Sequence, residues 1–371
     1  MPSPAAAGEP SPSISVIMPN YNHGKWLARA LDALLSQATR SMEIVLIDDG
    51  STDNSCEVIA DFCRRYDCVR LIQHDVNLGA YAAVRSGIAA ARGEFLLFAA
   101  ADDFILPGLV TRAEAALRAH PEAAFYCSEV ALFDRAGRMV GYRPVTLPRS
   151  TDGYMSPAEV RREIRRTDNW FVSPSAVYRR QFLADIGYFD ESLGTLCDGL
   201  ALRLLAFRHG FYFDASVRAV WMVDPASVSA RTSLSVTEGR RVIEQGGLWI
   251  TRHFPTDVRD VYRKLFERRL RFNMARHQLI WQSGPPETDR ISDLLELSPR
   301  GRQLLGFLGR VPLAGSLLVL TFTTLRMRPT SMVALLKAWW RVRVVQRRER
   351  NALKRNLAHA CSRGLALPEP S

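Results

Sequence analysis

Two adjacent aspartates, Asp102 and Asp103, end the apolar run from Phe95 through Ala101, just before Pro107 and Gly108. A strand that delivers paired carboxylates to its C-terminal end puts them where open α/β sheets bind ligands. Neighbouring like charges repel, so such a pair is stable when solvated or when an oxygen-seeking divalent cation neutralises it. The pair therefore reads either as a holder of a metal-bound diphosphate or as an acidic turn capping the next helix. A second pair, Asp48-Asp49, ends the run 43–47 and opens Gly50-Ser51-Thr52-Asp53. Asp198 opens the apolar stretch 200–207, so a helix start there can aim its carboxylate into a crevice. That placement suits a general base, or else a simple helix cap.

The elements that must position these groups alternate. Residues 14–18, 43–47, 69–73 and 95–98 are short apolar β-type runs. Between them, 26–35, 55–62 and 80–91 have helical spacing, the second with N-cap candidates at Ser51 to Ser55. Strands separated by helices predict parallel βαβ units. Both acidic pairs should then lie along one sheet edge, where four carboxylates are costly unless ligands or metal answer them.

The strings Ser15-Val16-Ile17-Met18-Pro19-Asn20-Tyr21-Asn22, Ile47 to Asp53, Asn77-Leu78-Gly79 and Ala101-Asp102-Asp103 occur in that order over about ninety residues. Together they resemble the signatures of family 2 glycosyltransferases, which have the GT-A nucleotide-diphospho-sugar fold: a Rossmann-like mixed sheet flanked by helices. Gly187-Tyr188-Phe189-Asp190-Glu191, Cys197-Asp198-Gly199 and His209-Gly210 extend the likeness to about residue 235. The resemblance implies that Pro19, Tyr21 and Asp49 hold the nucleotide, Asp102 the ribose, and that Asp103 ligates Mg2+ or Mn2+ on the diphosphate. It implies Asp198 as the base of an inverting transfer. An aromatic ring offers a stacking face, and a carboxylate selects an N–H or O–H donor.

Some positions depart from the family pattern. Ala100 stands where many relatives carry another Asp, and Cys197 where Glu often precedes the base. Cys197 reads as inert filling, since the chemistry needs no covalent intermediate. Arg85-Ser86 replaces the commoner Arg-Asn, displaced by one position, and Arg85 reads as a solvated helix residue or a phosphate contact. Arg218-Ala219-Val220-Trp221 lacks the spacing of the processive synthases, which argues for transfer of one sugar at a time.

The chain of 371 residues, 47% apolar, can hold one large domain plus an extension. Its formal charge of +11 resides after residue 300, where thirteen Lys or Arg face only Glu349 and Glu369. Residues 303–325 are nearly uncharged but contain Arg310 and Pro312, which suits an interfacial segment better than a span. Around Trp339-Trp340, apolar and Arg residues alternate as in a helix lying on an anionic leaflet. Packing of that face on the catalytic domain is the other option; nucleic acid is disfavoured for want of a reading motif. Six cysteines form no C-x-x-C pair, and the Pro/Ala-rich start lacks an apolar signal core, so thiols are expected reduced. The excess of Arg over Lys and the abundant Ala hint at a GC-rich bacterial source.

The expected organisation is a leader (1–12), a GT-A domain (13–235), a helical bridge (236–300), with a short helix starting at Leu294, and a basic amphipathic tail (301–371). The expected activity moves one sugar from a UDP- or dTDP-sugar to a hydroxyl of a glycan or lipid-linked acceptor, in cell-surface glycan or polysaccharide synthesis. The expected location is the cytoplasmic face of the membrane, with residues 303–355 on its anionic surface. Two rivals are a GT-A-like scaffold without catalysis, kept open by Ala100 and Cys197, and a nucleotidyltransferase, which would want an Arg/Lys-bearing Gly-rich loop where Pro19 to Gly24 stands.

Overall fold

A computed structural model describes residues 12–39, 41–144, 147–165, 173–224, 235–281, 286–311 and 314–327. The leader up to residue 11 and the Trp339-Trp340 segment lie outside the described residues. The first half is the expected βαβ series: β1 (Ile14–Asn20), α1 (Gly24–Leu35), β2 (Met42–Asp48), α2 (Ser55–Arg65), β3 (Val69–Gln73), α3 (Ala80–Ala90) and β4 (Phe95–Phe98). β1 and β2 are apolar along almost their whole length because both faces are covered. Their parallel register sets Asn20 opposite Asp48, and β4 runs parallel to β1 on its other side.

The second half adds β5 (Phe104–Ile105), α4 (Leu109–Ala119), β6 (Phe125–Asp134), β7 (Met139–Arg143), β8 (Gly153–Met155), α5 (Pro157–Glu163), β9 (Val177–Arg179), α6 (Arg180–Asp185), α7 (Cys197–His209) and β10 (Phe211–Val223). All ten strands form one mixed sheet, β3-β2-β1-β4-β9-β6-β10-β5, with β7 beside β6 and β8 beside β10. Antiparallel β9 joins the parallel quartet to the β6–β10 pair. β8 and α5 lie beyond the elements expected from the sequence. Their signal was Ser156-Pro157-Ala158-Glu159: Ser156 and Glu159 form a reciprocal capping box with Pro157 at the helix start.

One face of the sheet packs on α1, α2 and α4 through Leu27, Ile59 and Leu109. The other packs on α3, α5 and α7 through Ala83, Val160 and Leu204. α7 is apolar on nearly all sides because it is buried between the sheet and the helices that follow. Those are α8 (Val236–His253), α9 (Arg259–Trp281), α10 (Thr288–Leu294), α11 (Pro299–Gly309) and α12 (Gly315–Met327). Phe207 of α7 meets Phe254 and Tyr262, with ring centroids 5.4 and 5.3 Å away.

Leu294 ends α10 rather than starting a helix. The next helix waits for Pro299, whose fixed φ suits a first turn, and Ser298 caps it by accepting from the Gly301 amide. Residue 301, taken as the start of the tail, thus lies inside α11. Leu305 and Val319 of α11 and α12 share a core with Phe272 and Ala275 of α9 and Ile291 of α10.

α3 approaches β1 and β2 most closely at Gly87. A Cβ there would sit 2.7 Å from Ile47 Cδ1 and closer still to Ile17. Gly87→Val should therefore lower the unfolding free energy by about 1–3 kcal/mol, measured by urea denaturation, because the strands cannot retreat. Wild-type stability in that variant would contradict the packing.

Candidate active site

The acidic groups meet along the C-terminal ends of β1, β2 and β4. Asp48 is fully buried and is consumed by its own turn: its Oδ1 accepts from Asn20 Nδ2 (2.8 Å) and Ser51 Oγ (2.6 Å), its Oδ2 from the Ser51 amide (3.1 Å). Asn22 Oδ1 accepts from the Thr52 amide at 2.8 Å, and Asp53 Oδ2 from the Gly24 amide at 2.9 Å. The Pro19-Asn20-Tyr21-Asn22 and Asp48-to-Asp53 strings are thus one hydrogen-bonded unit. Gly50 is required in it: its φ is +72°, and a Cβ would lie 2.7 Å from the Val76 backbone. Pro19 lies near the C-terminal end of β1 and Tyr21 just beyond it, where Tyr21 is 42% exposed.

Asp49 is held from the opposite side. Its Oδ1 accepts from His74 Nδ1 (2.7 Å) and the Leu78 amide (2.9 Å), and its Oδ2 from the Gly79 amide (2.8 Å). His74 Nε2 lies 3.0 Å from Ser86 Oγ on α3. Burial pushes the Asp49 carboxyl upward, but these hydrogen bonds outweigh it and hold the group below its ordinary value. The Asn77-Leu78-Gly79 string therefore has a structural task, fixing Asp49, and Gly79 meets it at φ +93°. Ser86 completes the His74 contact, whereas Arg85 beside it is exposed.

The other acidic pair draws partners that sequence reasoning missed. Asp102 Oδ2 is 2.9 Å from Arg135, which also reaches Asp224 at 3.1 Å. Arg29 of α1 approaches the Asp102 carbonyl at 3.5 Å, and both arginines lie over the Trp26 ring, at 5.4 and 5.3 Å. Arg29 is spaced for the helix face of Trp26, but Arg135 comes from the turn after β6, and no local spacing links it to Asp102. Asp103 Oδ1 accepts from the Met222 amide at 2.8 Å. Burial, and after it the charge of Asp102, push the Asp103 carboxyl up to about 8.

Asp198 lies in the first turn of α7, its Oδ1 accepting from the Gly199 amide at 2.6 Å. Tyr81 of α3 donates its hydroxyl to the Gly194 carbonyl and lies 3.4 Å from Cys197 Sγ, tying this loop to α3. The charge of Asp198 acts on both Tyr81 and buried Tyr178. Burial, then Asp198, push the Cys197 thiol up to about 11, so it stays protonated and is no nucleophile. His209 stacks on Phe182 with centroids 4.0 Å apart, as a packing histidine.

The residues fit a divalent cation at Asp103. Its other carboxylate oxygen shows no hydrogen bond among the described residues, and burial and Asp102 disfavour its charged form more than the Met222 amide, Arg135 and Arg29 favour it. Among the described residues no three His, Cys, Asp or Glu side chains gather as a metal cage. A cation here would take its remaining ligands from water and a diphosphate, the usual habit of Mg2+.

Residues 15–187 match the family described as Glycosyl transferase family 2. The chain is 37% identical over 97 residues to the glycosyltransferase GlyG of Streptococcus pneumoniae, a match covering 26% of this chain and only 32% of that protein. An uncharacterised glycosyltransferase of Nostoc, alr2836, is 28% identical over 250 residues, 66% of this chain and 74% of that one. Among solved structures, residues 1–349 of S. aureus TarS superpose with a TM-score of 0.56 at 18% identity, covering 85% of this chain and 92% of that one; it has also been solved with UDP and with UDP-GlcNAc. The mannosyltransferase PcManGT of Pyrobaculum calidifontis, solved with GDP-Man and Mn2+, superposes with a TM-score of 0.53 at 16% identity, covering 90% and 87%. The fold is that of the GT-A glycosyltransferases, and residues 15–187 carry the match to glycosyl transferase family 2.

Proposed function

We propose that the protein is an inverting glycosyltransferase that moves one sugar from a nucleotide-diphospho-sugar, UDP- or dTDP-linked, to an acceptor hydroxyl in cell-surface glycan or polysaccharide synthesis. The observation that carries this reading is the convergence of Tyr21, Asp49, Asp102 and Asp103 on one sheet edge, with Asp198 tied to the same crevice through Tyr81. The UDP and UDP-GlcNAc complexes of the TarS structure support the class of donor.

In this reading the exposed Tyr21 ring and Pro19 flank the base. Asp49 Oδ2, which among the described residues takes only the Gly79 amide, has a lone pair left for a base N–H. The Asp102 oxygen not engaged by Arg135 accepts from a ribose hydroxyl. Asp103 holds Mg2+ or Mn2+, which when bound offsets the charge developing on the diphosphate. Arg29 and Arg135 bring two further positive charges close to the same groups. Asp198 takes the proton of the acceptor hydroxyl while that oxygen bonds to the anomeric carbon from the face opposite the diphosphate. The bond from that carbon to the diphosphate oxygen breaks, and the nucleoside diphosphate leaves with the electron pair, so configuration inverts.

We also infer a membrane-proximal acceptor and a peripheral position on the cytoplasmic face. Leu304 and Phe307 of α11 and Leu317 and Leu325 of α12 are exposed, and the basic run with Trp339-Trp340 follows in the sequence. Among the described residues no helix is long and apolar enough to cross a membrane.

Asp198→Asn should leave donor affinity nearly intact and cut transfer by about a hundredfold or more; loss of donor binding instead would reassign the residue. Ending the chain at Met327, which spares the α9–α12 core, should abolish sedimentation with anionic liposomes, and undiminished binding would remove the membrane argument. Asp103→Asn should raise Tm in EDTA at pH 8 by a few degrees, roughly 2 °C per kcal/mol. The sign follows from linkage: a carboxyl whose folded pKa is raised destabilises the apo protein progressively from about pH 4 to about pH 8, and Asn removes that charge. Mn2+ should raise the Tm of the wild type only; an equal rise in the variant would place the cation elsewhere.

A further inference from the structure

His74 follows β3 and is fixed through both its backbone and its ring. Its amide donates to the Asp48 carbonyl at 2.9 Å, one step past the register that pairs Asp48 with Gln73. Its ring lies between two side chains, with Nδ1 2.7 Å from Asp49 Oδ1 and Nε2 3.0 Å from Ser86 Oγ on α3. The side chains of His74 and Asp49 are only 10% and 3% exposed. A short contact to a carboxylate, kept this far from water, is among the stronger hydrogen bonds a protein makes.

The direction of each bond follows from the other partners of Asp49. The Leu78 and Gly79 amides can only donate, so they favour the ionised, acceptor-only carboxylate, and His74 Nδ1 must then carry the shared proton. In the neutral ring Nε2 is left as an acceptor, to which the Ser86 hydroxyl donates. Of the contacts that hold the Asp49 carboxyl below its ordinary value against burial, the His74 hydrogen bond is the foremost. With these three bonds made, the lone pair that remains on Oδ2 can serve only a donor. Uracil and thymine present an N–H at N3. Cytosine presents a bare lone pair there, which an ionised carboxylate repels. A carboxyl that swung out of its plane or took up a proton would lose that distinction.

We propose that His74, braced by Ser86, is a positioning residue that sets the base selectivity of the donor site. It holds Asp49 ionised and in one orientation, so that a nucleotide with an N3–H is taken and a cytosine nucleotide refused. This rests on the reading of Asp49 as the acceptor for the base, and His74 acts through Asp49.

The test is calorimetric titration of UDP and CDP, each with Mn2+, into the full chain as wild type, His74→Asn, His74→Gln and Asp49→Ala. Asparagine carries its Nδ2 as many bonds from Cα as Nδ1 of histidine, so it can still donate to Asp49. Glutamine carries its amide one carbon further, at the place of Nε2, where it meets Ser86 instead. The wild type should prefer UDP to CDP by about tenfold or more, as a site built around one hydrogen-bonded N–H does. His74→Gln should weaken UDP by about tenfold, the size of one hydrogen bond to a charged group, and leave CDP unchanged. His74→Asn should keep the wild-type ratio. A merely structural histidine would make the two amides behave alike and weaken both nucleotides together; that result, or a wild-type ratio in His74→Gln, would overturn the proposal. If His74→Gln fails to fold, Ser86→Ala, which frees the ring to turn away from Asp49, should lower the ratio severalfold, and an unchanged ratio there would equally overturn it. Asp49→Ala separates the two readings. UDP lost in Asp49→Ala beside an unchanged ratio in His74→Gln removes the role of His74 alone, whereas wild-type UDP affinity in Asp49→Ala removes the base-acceptor reading and the proposal with it.

Discussion

Four carboxylates crowd the end of one sheet, and the structure is organised around how each is answered. Asp48 is neutralised within its own turn by Ser51 and by Asn20 across the β1–β2 register. Asp49 is met by two backbone amides and His74 from the loop after β3. Asp102 is paired by Arg135 from the far half of the sheet. Asp103 takes one amide, from Met222, and burial and the like charge of Asp102 outweigh that amide and the nearby Arg135 and Arg29, pushing its carboxyl up to about 8. In the proposed reading a ligand supplies the compensation that Asp103 lacks most.

The same arrangement explains why the second half of the fold is needed. The parallel quartet β3-β2-β1-β4 can build a nucleotide crevice, but β9 must intervene before β6 and β10 can bring Arg135 and the Met222 amide to the acidic pair. α7, buried on nearly all sides, presents Asp198 at its first turn, and α8 and α9 close over it through Phe254 and Tyr262. The C-terminal helices thus support the domain that precedes them.

The first half was legible in the sequence because its signals are local. Apolar runs of strand length, helical spacing between them and acidic pairs at their ends specified β1 to β4 within a residue or two at most ends, and the family signatures named the fold. What was not legible is the long-range pairing. Nothing adjacent to Asp102 points to Arg135, and the Asn77-Leu78-Gly79 string gives no hint that its amides are committed to Asp49. The capping box at Ser156 was readable and went unread, whereas the end of α10 at Leu294 depends on Ser298 and Pro299 starting the next helix instead.

The central claim is that a nucleotide diphosphate and a cation meet at Asp103. It is tested most directly by calorimetric titration of UDP, dTDP and GDP, with and without Mn2+, into the wild type and Asp103→Ala. The account predicts Mn2+-dependent binding of UDP or dTDP to the wild type and its disappearance in the variant. Binding that ignores both Mn2+ and the substitution, or no binding of any of the three, would contradict it.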